Sequence, residues 1–159
     1  ERVERLAALP TTVALDVAGL GPTLFGHGSP RSDEEIVTRL TPAGRLRPML
    51  VDVAERTVVL GHTHVQFDRT VDGVRVVNPG SVGMPYEDTP GARWALLGPE
   101  VELRTTAYDV EAAAARLRAG GLPGVEEWID GFLLHPAGAA EASAHFEGVA
   151  TASEDDRPG

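Results

Sequence analysis

Three apolar runs in this chain each stop at a polar loop rich in glycine or proline, and two of those loops carry histidine. Thr23-Leu24-Phe25 runs into Gly26-His27-Gly28-Ser29-Pro30, Val58-Val59-Leu60 into Gly61-His62-Thr63-His64, and Val76-Val77 into Asn78-Pro79-Gly80-Ser81-Val82-Gly83. Short apolar runs bounded by turn residues read as buried strands. Polar loops at several strand ends are how an open sheet builds a site along one edge. On an extended segment, side chains at i and i+2 share a face with Cα atoms about 6.5 Å apart. That spacing lets His62 and His64 serve one ion, or two neighbouring ions each. By itself the H-x-H is also what a structural histidine with a tautomer-fixing hydrogen bond would leave. His27 between glycines, ahead of Ser-Pro, reads equally as a turn residue.

The remaining elements follow from pattern and punctuation. Residues 11–17 and 22–26 read as two β runs joined by Ala18-Gly19-Leu20-Gly21. Ser32-Asp33-Glu34-Glu35 has the acidic start of a helix that would continue to Leu40. Residues 45–54 read as a helix packed on the sheet ahead of a strand over 57–60. The segments 65–70 and 74–78 flank Val71-Asp72-Gly73, and a D-G pair between alternating runs signals a hairpin. Strands follow over 93–97 and 101–107. Asp109 caps an alanine-rich helix over 110–119 that Gly120-Gly121 and Pro123 terminate. A second amphipathic helix spans 126–134, its Trp128, Ile129, Phe132 and Leu133 suited to covering the sheet or a partner subunit. His135 and His145 stand alone and read as structural or solvent-exposed. The composition from Gly148 onward predicts a disordered tail over 148–159.

Composition narrows the function classes. The 159 residues suffice for one domain with a real core. A formal charge of −10 argues against nonspecific nucleic-acid binding, which needs a basic face to displace counterions from phosphates. No apolar run approaches the ~20 residues that span a membrane. With no cysteine, disulfides and thiolate metal sites are excluded, and the cytoplasm is the expected compartment. All 14 basic residues are arginine, which with the abundance of Ala, Gly and Pro points to a high-GC bacterial source.

Taken in order, His27-Gly28-Ser29-Pro30, Gly61-His62-Thr63-His64 and Asn78-Pro79-Gly80-Ser81-Val82-Gly83 closely resemble the calcineurin-like metallophosphoesterases, in particular the small bacterial phosphodiesterases and phosphatases. The resemblance implies an α/β (α+β) fold, the C-terminal half of a four-layer αββα sandwich, with mostly antiparallel strands here and C-terminal helices. It implies a dinuclear centre in which His27 and His62 bind one metal and His64 the other. The two divalent ions would be manganese, with iron, zinc, nickel or magnesium as alternatives. The N-P-G-S-V-G segment is then a structural signature near the site, with no catalytic role assigned.

The chain departs from the family pattern at its start. Complete members begin with D-x-H, then G-D-x-x-D, then G-N-H-D. None of the ten aspartates sits in a D-x-H, and Asn78 is the only asparagine. The chain therefore reads as the C-terminal part of a longer protein. On this reading, residues 1–120 belong to the phosphoesterase domain, 121–147 to a helical extension and 148–159 to the tail. Three neutral imidazoles supply about half of the ligands that two divalent ions need, and leave their charge almost uncompensated. Asp16, Asp52 and Asp68 fall in no ligand motif. No residue is assigned as catalytic, and Arg31 is the candidate to pair bidentately with a substrate phosphate.

The expected activity is hydrolysis of a phosphoester small molecule or cyclic nucleotide by the full-length protein, this chain being inactive alone. The alternative is a noncatalytic metal-binding or assembly module of the same fold. Amidohydrolases also use H-x-H but need a (β/α)₈ barrel of ~250 residues, and the histidine-triad hydrolases need a third alternating histidine where Gln66 stands. Loss of the first half would leave the strands at 23–26 and 57–60 with open edges, and a possible homo-oligomer follows from that.

Overall fold

The computed structural model describes residues 2–155 and the side chains of residues 2–153. A short helix, α1 (Arg2–Ala7), leads into β1 (Thr12–Val17) and β2 (Gly21–Gly26). These form an antiparallel hairpin that pairs Thr12 with Gly26 and Val17 with Gly21. Helix α2 (Ala43–Leu50) precedes β3 (Thr57–Val59), and β4 (Phe67–Val71) and β5 (Val74–Asn78) form a second hairpin. Asp72 and Gly73 both have positive φ, 50° and 87°, the backbone that a two-residue turn between right-twisted strands requires. The five strands make one mixed sheet in the order β1-β2-β3-β5-β4, parallel across β2, β3 and β5 and antiparallel at both edges. A separate pair, β6 (Ala92–Leu97) and β7 (Val101–Thr106), is antiparallel. Three of the five strand pairings are thus antiparallel, while the three strands that carry the loops of interest are parallel.

Burial explains the layering. Leu46, Met49 and Leu50 on α2 pack with Val58, Leu60, Phe67, Val71 and Val76 in one core cluster. Strand alternation sends Val59 and Val77 to the opposite face, where both are also buried. The β6–β7 pair approaches the first sheet closely, since a Cβ at Gly19 would lie 2.6 Å from Pro99 Cα. After β7 come α3 (Val110–Ala119), α4 (Val125–Trp128), a π-helix (Ile129–Leu134) and α5 (Ala139–Asp155). Asp109 caps α3 as expected, its carboxylate accepting from Ala112 N at 2.9 Å. Among the described residues no helix is long and apolar enough to cross a membrane.

Four expectations are corrected. Residues 32–40 form no helix. Glu35, placed to favour a helix start, instead turns back to accept from Ser29 Oγ at 2.6 Å and from the Arg31 guanidinium, while Val37, Thr38 and Thr41 are buried. The helix expected over 126–134 is α-helical only to Trp128 and becomes π-helical from Ile129. The tail expected from residue 148 is helical as far as Asp155, and 156–159 lie outside the described residues. Burial of Ala150 and the anchoring of Glu147 to Thr38, Thr41 and Arg45 supply what the polar composition lacks. Finally, β2 and β3 are inner strands with neighbours on both sides. The β1–β2 hairpin covers the edge expected to be open, so the argument for association through those strands falls.

Candidate metal centre

The strand ends deliver their loops to one edge because β2, β3 and β5 run parallel in consecutive sheet positions. Leu60 N donates to Val77 O and Gly61 N donates to His27 O at 2.7 Å, which sets the histidine loops side by side. His27 Nε2 and His62 Nδ1 are 3.2 Å apart, with ring centroids at 4.9 Å. The H-x-H is not extended, as the i, i+2 argument supposed. The strand stops at Val59, and His62 and His64 have φ of 64° and 57°. A left-handed backbone costs an L-residue roughly 1–2 kcal/mol, so the turn must be held from outside.

Asn78 holds it. Its side chain is fully buried, donates from Nδ2 to Gly61 O at 2.6 Å and to Thr63 Oγ1 at 3.1 Å, and accepts from Gly80 N at 2.9 Å. Thr63, also buried, donates to Val37 O. Ser81 Oγ accepts from Met84 N at 3.0 Å, and Met84 O lies 2.9 Å from His64 Nδ1. A carbonyl can only accept, so Nδ1 carries the proton and the Nε2 lone pair is left for a ligand bond. The N-P-G-S-V-G segment therefore braces both histidines. Sequence reading placed it near the site but could not find these contacts, which pair residues 15 to 20 positions apart.

The electrostatics at His62 favour the neutral imidazole. Burial, then the charges of His27 and His64, hold His62 below the usual histidine value of 6.5, against opposing pulls from Asp33 and Glu34. Those two acids are near because the 33–35 loop lies against Gly28, where a Cβ would come within 2.6 Å of Glu35 O and 2.7 Å of Asp33 O. Reading Asp33 and Glu34 as a helix start concealed this proximity. Arg31, the candidate for a substrate phosphate, lies in the loop that follows His27. Its guanidinium is engaged by Glu35 and by Pro48 O at 3.2 Å, toward α2. His135 pairs with Asp130 at 2.9 Å on an exposed surface, and His145 packs beside Phe146.

The residues fit a metal in one respect and fall short in another. Two nitrogens bound at about 2.0–2.1 Å to one ion sit about 2.9 Å apart at a right angle and about 3.3 Å apart at the tetrahedral angle. The 3.2 Å between His27 and His62 lies inside that interval. Yet among the described residues no group of three or more His, Asp or Glu could hold an ion. Asp33 and Glu34 act on His62 from nearby, but among the described residues no carboxylate joins the imidazoles in such a set.

The model of the calcineurin-like phosphoesterase superfamily domain matches residues 2–98. The chain belongs to this superfamily. A protein of Mycoplasma pneumoniae named "Probable metallophosphoesterase" is 33% identical over 66 residues, covering 39% of this chain and 36% of that protein. Two solved structures show the same mixed α/β fold. A hypothetical protein from Pyrococcus horikoshii OT3 has a TM-score of 0.66 at 23% identity, over 79% of this chain and 52% of that one. A metallophosphoesterase from Sphaerobacter thermophilus has a TM-score of 0.61 at 23% identity, over 80% of this chain and 60% of that one. The chain thus spans about half the length of these solved structures and about a third of the curated relative.

Proposed function

We propose that the full-length phosphoesterase hydrolyses phosphate mono- or diesters at a dinuclear centre, to which this chain contributes His27 and His62 for one ion and His64 for the other. The observation that carries the reading is the 3.2 Å approach of His27 Nε2 to His62 Nδ1 on a turn held in a left-handed conformation. When bound, a pair of divalent ions supplies Lewis acidity and an activated water at neutral pH. The chain's own part is to keep His62 neutral, to aim His64 Nε2 away from Met84 O, and to fix both through Asn78 and Ser81. Imidazole suits zinc, iron and nickel, whereas manganese favours carboxylate and water oxygens; manganese is our proposal for the completed site of the full-length protein, and metal analysis of that protein tests it. With its guanidinium engaged by Glu35, Arg31 is not needed for this reading.

For the 159-residue chain by itself, the missing carboxylates support a second reading as a metal-binding module without turnover. The test is hydrolysis of p-nitrophenyl phosphate and bis-p-nitrophenyl phosphate with added manganese. The isolated chain should match buffer, and the full-length protein should turn over and lose activity in His62→Ala. Turnover by the isolated chain that disappears in His62→Ala would overturn the partial-site argument. An inactive full-length protein that binds no divalent ion would overturn the hydrolase reading. A homo-oligomer is proposed only through the exposed Val3 and Leu6 of α1, Leu9 of the connection and Val13 and Leu15 of β1, and light scattering reads it directly.

A further inference from the structure

His64 is braced on more than one side. Met84 O fixes the edge of the His64 ring at Nδ1, and Tyr86 N donates to His64 O at 3.4 Å. Glu87 Oε1 accepts from Gln66 N at 2.8 Å, so residues 84–87 run alongside 64–66. Tyr86 stacks against the imidazole in an offset arrangement, with ring centroids 5.8 Å apart and planes 20° from parallel. Tyr86 is in turn wedged by two rings from beyond the segment that the superfamily model matches. Phe132 of the π-helix stands at 6.4 Å and Phe146 of α5 at 5.8 Å, both tilted against it. Val65, Ala139 and Ala142 complete that cluster.

We infer that Tyr86 is a positioning residue for the His64 ligand, and that the C-terminal helices serve the metal centre by wedging Tyr86 through Phe132 and Phe146. This rests on the proposed ligand role of His64. A hydrogen bond at Nδ1 fixes the tautomer but leaves the ring free to rock about that contact. A planar ring stacked against the imidazole removes the rocking, and the groups that orient a ligating histidine govern its metal affinity. The phenol oxygen has no part in it, because stacking needs the ring alone. That gives the inference its discriminating variants: Phe keeps the plane, and Leu keeps apolar volume without a plane.

The test uses the whole chain and cobalt(II) as the probe. Tyr86→Phe should bind cobalt within about twofold of the parent and with the same visible absorption spectrum. Tyr86→Leu should lose about 10-fold or more in affinity and shift the spectrum. Leu46→Ala, in the separate core cluster under α2, should lower stability without moving either readout. A metal-free measurement runs alongside: in proton NMR, ring-current shifts of the His64 carbon-bound protons should persist in Tyr86→Phe and collapse in Tyr86→Leu. Parent-like cobalt binding and spectrum in Tyr86→Leu would overturn the inference, as would His64 proton shifts unchanged by that substitution. If no form of the chain binds cobalt, the reading of the isolated chain as a metal-binding module falls, while the NMR comparison still decides whether Tyr86 orders His64.

Discussion

Replacing Asn78 by alanine removes the side chain that ties the histidine turn to the following loop. Three hydrogen bonds go at once: to Gly61 O, to Thr63 Oγ1 and from Gly80 N. At a net of about 0.5–1.5 kcal/mol each, and with partners left in a buried setting, the loss is about 2–4 kcal/mol. Against a total stability of about 5–15 kcal/mol this is large. With m near 2 kcal/mol per molar for a small domain, the urea midpoint should fall by about 1–2 M. Because His62 and His64 sit in the left-handed region, the released turn should relax toward ordinary φ and separate His27 from His62. Zinc affinity measured by calorimetry should then drop by about 10-fold or more. Val76→Ala is the control, since Val76 is equally buried but packs in the core cluster under α2. It should cost about 1.5–3 kcal/mol and leave zinc affinity unchanged. If Val76→Ala lowers zinc affinity as much as Asn78→Ala, the turn-bracing argument is wrong.

In metal-free protein the depressed pKa of His62 makes stability depend on pH. The unfolded chain takes up its proton near 6.5 while the folded chain resists, so this contribution is present above that pH and declines as pH falls below it, levelling once the folded group protonates. The urea midpoint should therefore fall between about pH 7 and pH 5, and His62→Gln should flatten that slope; an unchanged slope refutes the assignment. Glu147→Ala strips the carboxylate from Thr38, Thr41 and Arg45 and leaves the Arg45 guanidinium, 11% exposed, without that partner. A cost of about 3 kcal/mol is expected, with Glu147→Gln intermediate, and a loss under about 1 kcal/mol would show that the α5 anchor lies elsewhere. Asp109→Ala should cost about 1 kcal/mol and speed hydrogen exchange at Ala112, whose amide the carboxylate caps; unaltered exchange there counts against the cap.

What the sequence determined by itself is everything governed by neighbours along the chain. Asp72-Gly73 specified its hairpin, Asp109 its helix start, and the apolar runs their strands, because turn chemistry and side-chain alternation act over a few residues. The ordered motifs likewise singled out His27, His62 and His64 as candidate ligands. Tertiary structure decided the rest, wherever a distant partner outweighed local preference. Residues 32–40 have the start of a helix, yet Glu35 is claimed by Ser29 and Arg31, and Thr38 by Glu147 more than 100 positions away. The polar end of α5 is held for the same reason. The H-x-H spacing suggested a strand, but the Asn78 amide, 15 residues beyond Thr63, holds it as a left-handed turn. Even the bracing of His64 draws on Tyr86 and Phe146, whose rings meet only after the chain has folded, and no local propensity encodes that meeting.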